Sequence, residues 1–273
     1  MSRRIDLFNP AATYGAIAGN YTSAAERWWP DVATTVVSLL DLRPGNRLLD
    51  VASGGGAVAL EAGPLVTPGG SVHGLDISPD MVAIAQERAH AAGLSDAVRF
   101  SVADMHAIPF HPASFDAVSC ALGLFFAKDI PEVTYKLWRL LGPDGRLCLA
   151  TLGKHVFSPA FDWYCAAVDA EGVDSQALCP WTRTDMPQKV RSILQGVGLA
   201  DPMLRTRTLT IPLDGPSDWS TIVQSTGIAR IHQELDGAAA DRVRDSMERM
   251  FARERVSTLD LEVIYTLVKK GPA

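Results

Sequence analysis

The 273-residue chain has no stretch that reaches the roughly 18 to 20 consecutive apolar residues a bilayer-crossing helix needs, so no membrane span is expected. Its opening, Met1-Ser-Arg-Arg-Ile-Asp-Leu-Phe, carries two arginines with no continuous apolar segment behind them, and is not read as a secretory signal. Cysteine is scarce. The four present (Cys120, Cys148, Cys165 and Cys179) form no Cys-x-x-Cys pair and have no histidine at a metal-ligand spacing, so no metal is expected. They read as buried, reduced thiols of a cytoplasmic protein. Positive charge is also short. A formal net charge of −6 leaves no basic field to neutralise a phosphate backbone, which argues against nucleic acid as partner and for a small-molecule substrate. Internal repeats and low-complexity segments are absent, and nothing in the residues speaks to oligomeric state. What the chain does have is core material: 47% hydrophobic residues against 21% charged, enough for a full globular core.

Residues 11–42 read as a mostly helical leader with apolar positions at Ile17, Ala24, Trp28, Val32, Val36 and Leu39 or Leu40, and with Pro30 as a break or helix start. After Arg43-Pro-Gly-Asn comes a strand, Arg47–Ala52, then a glycine-rich loop, then a helix from Val58 to Leu65. The alternation repeats. A strand at Ser71–Asp76 leads to Ser78 as helix cap with Pro79 at the first helical position. Strands follow at Val98–Ala103, Phe115–Leu122 and Gly145–Thr151, with a helix at Ile130–Leu141 whose Trp138 faces inward. Such alternation implies a parallel sheet covered on both faces. Beyond residue 152 helices are expected at 158–170, 186–197, 217–234 and 238–254, and strands at Leu204–Ile211 and Leu261–Val268. The last two strands pair as a hairpin interrupted by a helical insertion, 212–258, over the sheet end where ligands of such folds sit. The predicted architecture is therefore α/β: a doubly wound, mostly parallel, seven-stranded Rossmann-like sheet. Residues 1–42 form its leader or lid and 43–273 the domain proper, with the insertion before the last strand.

The loop Gly54-Gly55-Gly56-Ala57-Val58-Ala59 satisfies the loose nucleotide pattern G-x-G-x-x-A, in which bare glycines let backbone amides approach a ligand. A tight turn would satisfy it too. Asp50, at the end of the preceding strand, separates the possibilities. A carboxylate there repels the phosphates of a dinucleotide and favours a ligand that carries an ammonium, directly or through water. Asp76 closes the second strand 26 residues later, where an acid accepts ribose hydroxyls, and Ile77 and Met81 are placed to pack on an adenine. Asp104 closes the third strand, beside Met105, and can accept the adenine amino group. Three acids at three successive strand ends converge on one crevice.

Leu49-Asp50-Val-Ala-Ser-Gly54-Gly-Gly56, Gly74-Leu-Asp76-Ile-Ser-Pro-Asp-Met81, Ala103-Asp104-Met105, Phe115-Asp116-Ala-Val and Leu140-Leu-Gly-Pro-Asp-Gly145 together resemble a class I S-adenosylmethionine-dependent methyltransferase. Within that family the chain is similar to the ubiquinone/menaquinone-biosynthesis-type small-molecule enzymes over about 40–152. The resemblance implies S-adenosylmethionine as cofactor, held by Gly54, Gly56, Asp76 and Asp104 and covered from the leader by Tyr21, and Ala52, Ser53, Ile77, Met81, Met105 and Ala121 are expected in the same site. It further implies C- or O-methylation of a small, largely apolar metabolite, with Tyr14, Phe125, Phe126 and Trp181 toward the substrate. Ala52 stands where the family's loop has its first glycine. Leu122-Gly-Leu-Phe125-Phe126 stands where many hydroxyl-methylating relatives have a histidine.

Phe125 and Phe126 are either core or pocket wall. Trp181 and Trp219 are either lid or packing anchors. His155, after the fifth strand, is the catalytic acid/base candidate if it reaches the crevice, and a surface-loop residue if it does not. Two further readings stay open: a macromolecule methyltransferase using a basic patch around Arg242–Arg255, and a fold repurposed for rearrangement or cyclisation.

Overall fold

The computed structural model describes residues 10–199, 201–215 and 217–272, and of residues 20 and 22–25 the backbone alone. The opening segment through residue 9 and the expected apolar contact of Ala24 lie outside that description.

Two helices form the leader, α1 (Pro10–Ala25) and α2 (Trp29–Leu40). Pro30 lies in the first turn of α2, where its missing N–H costs no hydrogen bond. Val32, Val36 and Leu40, spaced by four, put one face of α2 into the core. The domain then runs β1 (Arg47–Val51), α3 (Ala57–Val66), β2 (Ser71–Asp76), α4 (Pro79–Ala91), β3 (Val98–Val102), β4 (Phe115–Ala121), α5 (Ile130–Arg139) and β5 (Leu141–Leu152). It continues with α6 (Ala160–Ala170), α7 (Pro187–Gly196), β6 (Met203–Pro212), α8 (Ser217–Ser225), α9 (Ala229–His232), α10 (Gly237–Glu254) and β7 (Thr258–Lys269).

The seven strands lie in the order β3-β2-β1-β4-β5-β7-β6. The first five pair in parallel, and β7 is antiparallel to both β5 and β6. The expected doubly wound sheet and interrupted terminal hairpin are both present. One apolar core lies beneath α2, α3, α4 and the leader, and the other beneath α5 and α7. Central strands covered on both faces read as continuous apolar runs, as β4 does with Ala117, Val118, Cys120 and Ala121 buried. All four cysteines are buried and unpaired.

The boundaries differ in two instructive places. The expected turn at Gly142-Pro-Asp-Gly is absorbed into an irregular start of β5, where the register against β4 shifts between Phe115 and Ala117. The single helix expected over 217–234 is broken into α8 and α9 at Thr226-Gly227-Ile228. There the Thr226 hydroxyl donates to the Ile222 carbonyl and accepts from the Ile228 amide, offering the backbone a local partner in place of the helical one.

The junction of β1 and β4 in the sheet order matters most for the site. Strand order reverses between β1 and β4, so the C-terminal ends of β1, β2, β3 and β4 open into one crevice. The leader covers that end: α1 packs on α4, α8 and α9. Arg27, between the two leader helices, bonds Asp218 at 2.8 Å, Asp214 at 3.3 Å and the Pro212 carbonyl at 3.0 Å, tying the leader to the insertion. No described helix is long and apolar enough to cross a membrane.

Candidate active site

A cavity of about 510 Å³ lies at the C-terminal strand ends, within the range of small-molecule sites. Its walls come from the leader (Tyr14, Tyr21, Trp28, Trp29), the strand ends (Ala52, Gly54, Asp76, Ile77, Met81, Asp104, Met105, Ala121) and the segment after β4 (Leu122, Gly123, Phe125, Phe126). Val156, Phe157, Trp181, Leu261 and Thr226-Gly227-Ile228 of the insertion close the far side.

The glycine loop is built around Asp76. Its Oδ2 accepts from the Gly54 amide at 2.8 Å and its Oδ1 from the Ser78 amide at 2.9 Å, so one carboxylate joins the ends of β1 and β2. Burial pushes its pKa upward, opposed by those backbone hydrogen bonds. Gly54 has φ 51°, and a Cβ there would stand 3.5 Å from the Tyr21 hydroxyl, so the missing side chain leaves the space between loop and leader open. Gly56 serves another purpose. At φ 85° it caps α3, and a Cβ would meet the Phe100 ring at 2.8 Å, so its bare backbone lets sheet and helix close up behind the crevice. It does not line the cavity.

Ser53 is also off the cavity, its hydroxyl buried without a partner on the sheet side of the loop. Asp50 departs further from expectation. It is 1% exposed, accepts from the Ser119 hydroxyl at 2.8 Å, and lies beneath the loop instead of on the crevice. Its Oδ2 has no partner, and burial raises its pKa to about 7. The residue that separated the ligand classes in the sequence is thus buried under the loop and does not line the cavity.

Asp104 lines the cavity at its half-exposed rim. Its Oδ1 accepts from both the amide and the ring Nδ1 of His106, while His106 Nε2 accepts from the Lys128 amide. Burial opposes ionisation of Asp104, but the His106 hydrogen bonds prevail and hold its pKa low. His106, Lys128, Asp129 and Glu132 complete this rim and were not singled out in the sequence, because each reads there as an ordinary surface or cap residue.

Tyr14 and Tyr21 meet edge to face at 6.0 Å, and Tyr14 meets Phe126 in the same way at 5.6 Å. Burial raises the pKa of both phenols, which stay protonated donors at neutral pH. Phe125 and Trp181 are buried and also border the cavity, so core and pocket readings hold together for them. Trp219 packs on Tyr164 at 5.6 Å and is an anchor away from the cavity. His155 is exposed and does not line the cavity; Val156 and Phe157 beside it do. Its ring therefore lacks the position an acid/base role requires. A Val-Phe pair one residue on was the available signal.

Residues 48–145 match a family profile described as a methyltransferase domain. The chain is 37% identical over 136 residues to nocamycin O-methyltransferase of Saccharothrix syringae, covering 50% of this chain and 48% of that one. It is 38% identical over 144 residues to demethylmenaquinone methyltransferase of Thermus thermophilus, covering 53% and 59% respectively. The chain thus spans about half to three-fifths of these curated relatives. Among solved structures, the [4+2]-cyclase SpnF superposes with a TM-score of 0.60 at 17% identity over 97% of this chain and 96% of its own, a likeness of fold alone. Residues 48–145 thus match a methyltransferase domain, with the glycine loop and strand-end acids in place within the seven-stranded sheet.

Proposed function

We propose that the protein transfers a methyl group from S-adenosylmethionine to a small, largely apolar metabolite, at carbon or oxygen. The carrying observation is one cavity with two chemically different ends. Asp76, Asp104, Asp129 and Glu132 against Lys128 give the strand-end side a negative balance, while Tyr14, Phe125, Phe126, Phe157, Trp181, Ile228 and Leu261 line the other with no charge. The first end fits the donor. A cationic sulfonium and ammonium are complemented by carboxylates, a ribose by Asp76, and the bare Gly54 leaves room that a Cβ would take.

The bound donor supplies an electrophilic methyl group already activated by the sulfonium. Gly54 and Asp76 orient the donor's polar portion, and Ile77, Met81 and Met105 offer apolar contact to its adenine. Tyr14 and Tyr21, with the insertion at 226–228, exclude water, and Tyr14 stands ready to donate a hydrogen bond to an acceptor oxygen. Among the described residues no carboxylate or histidine stands with Phe125, Phe126, Phe157 and Trp181 at the apolar end, which favours an acceptor acidic enough, or a carbon nucleophilic enough, to react without a protein base. The quinone and antibiotic methyltransferases among its relatives support an acceptor of that kind. We assign residues 1–42 the part of leader and 212–258 that of cover, in a cytoplasmic enzyme with no nucleic-acid partner.

Calorimetric titration with S-adenosylhomocysteine tests the donor end. Methyl transfer to 2-naphthol and to 1,4-naphthohydroquinone tests the acceptor end. Absence of binding by the homocysteine product rejects the donor assignment; binding without transfer to any phenol or hydroquinone places the chain with non-methylating members of the fold.

A further inference from the structure

The wall of the apolar end is assembled from two short turns distant in sequence, and one side chain joins them. A 3-10 turn after β4, Leu124–Phe126, carries Phe125 and Phe126, and a second, Pro180–Arg183, carries Trp181. A turn of three or four residues leaves its last carbonyls without an internal partner. Arg183 supplies them. Its Nη1 donates to the Phe125 carbonyl at 3.3 Å and the Ala127 carbonyl at 2.5 Å, and its Nη2 to the Lys128 carbonyl at 3.1 Å.

The second turn is itself fixed from behind. Lys189 donates to the Thr182 carbonyl at 2.6 Å, and Thr151 of β5 to the Thr184 carbonyl at 3.3 Å. Arg183 therefore transmits a position set by β5 and α7 to the loop that carries the phenylalanines. Across the junction, Phe125 meets Trp181 at 6.5 Å and 75°, and Phe126 meets Tyr14 at 5.6 Å and 86°. Rings held nearly perpendicular to one another present both faces and edges to the cavity, the arrangement into which another aromatic ring inserts with edge-to-face contacts. Saturated carbon of the same size obtains only the area burial.

We propose that Arg183 is the positioning residue of the acceptor wall, and that the wall it holds selects an uncharged aromatic ring over a saturated one. The inference rests on the assignment of this end of the cavity to the acceptor. A guanidinium suits the task because its rigid planar fork spreads the donors over two nitrogens, Nη1 to the Phe125 and Ala127 carbonyls and Nη2 to that of Lys128, whereas the three donors of an ammonium radiate from a single atom on a flexible stem.

The test compares 2-naphthol with decahydro-2-naphthol, which share a carbon skeleton and differ in aromaticity, by calorimetry with and without saturating S-adenosylhomocysteine. The wild type is expected to bind the aromatic probe about tenfold more tightly. In Arg183→Gln the preference falls below about threefold through weaker binding of 2-naphthol, while S-adenosylhomocysteine affinity stays within twofold. Arg183→Lys, which keeps charge and stem but not the fork, restores part of the preference, and it decides the question if the glutamine variant does not fold. Equal binding of the two probes by the wild type overturns the aromatic selection. An unchanged preference in the variants overturns the role of Arg183. Because S-adenosylhomocysteine is titrated on its own and both probes also without it, loss of donor binding registers separately and counts against the donor assignment alone.

Discussion

At the scale of single residues, three strand-end or loop positions carry separable predictions. Asp76 uses both oxygens on backbone amides, and asparagine can accept with only one while its NH2 group opposes the other amide. Asp76→Asn is expected to weaken S-adenosylhomocysteine binding by about 10- to 100-fold, the usual worth of a hydrogen bond to a charged group, as read by titration. Gly56 is constrained by backbone: at φ 85° with the Phe100 ring behind it, Gly56→Ala is expected to cost about 2 kcal/mol in denaturant unfolding, most of it from the left-handed conformation. Asp50 gives a pH signature. Its carboxyl sits near 7 in the folded protein against 3.8 for the free group, with burial as the main cause. The folded state then holds a proton that the unfolded chain has released between those values. This contribution to stability is complete below about pH 4 and is lost as pH rises through 7, at up to about 1.4 kcal/mol per pH unit. Asp50→Asn should flatten that part of the stability curve relative to wild type. Parallel curves for the two proteins from pH 4 to 7 would reject the buried, protonated carboxyl.

At the scale of elements, the leader and the insertion work as one cover because Arg27 bonds to Pro212, Asp214 and Asp218 together. The Asp218 contact is the substantial one, its carboxylate being 14% exposed where that of Asp214 is 92%. Arg27→Gln is expected to speed amide exchange in α1 and α8 several-fold while leaving β1 and β4 unchanged; unchanged exchange in α8 would remove the latch. The strands and helices themselves were legible because periodicity and punctuation are local. Ser78-Pro79 announces α4, and the alternation from Arg47 to Thr151 announces the parallel sheet. The strand-end side of the cavity was legible for the same reason, since Gly54, Asp76 and Asp104 each lie at or just beyond the end of a strand. What escaped was set by tertiary geometry. Burial alone takes Asp50 off the crevice, and Leu261 and Ile228 reach the cavity only because β7 and the α8–α9 break bring them there. His155 failed by one residue: the segment after β5 is irregular, with Phe157 at φ 50°, and it turns Val156 and Phe157 inward while His155 stays exposed.

At the scale of the molecule, the cavity joins segments that share no local contacts in sequence: the leader at Tyr14 and Tyr21, the strand ends from Ala52 to Ala121, and the insertion at 226–228. A ligand that fills the cavity touches all three, so its binding energy is felt by the whole fold and not by the glycine loop alone. S-adenosylhomocysteine at about 100 times its dissociation constant should add about 2.7 kcal/mol of stability, as any ligand bound only by the folded state does. For a chain of this size that corresponds to a rise in Tm of roughly 5–10 °C. The distribution of the effect is the more informative measurement. Amide exchange should slow in α1 and in the loop at residues 52–56, and, when 2-naphthol is added to the complex, at residues 226–228 also. Helix α10, which contributes nothing to the cavity lining, should keep its local exchange rates. A rise in Tm with protection confined to the glycine loop would mean that leader and insertion are bystanders, and that the acceptor is met by the sheet end alone.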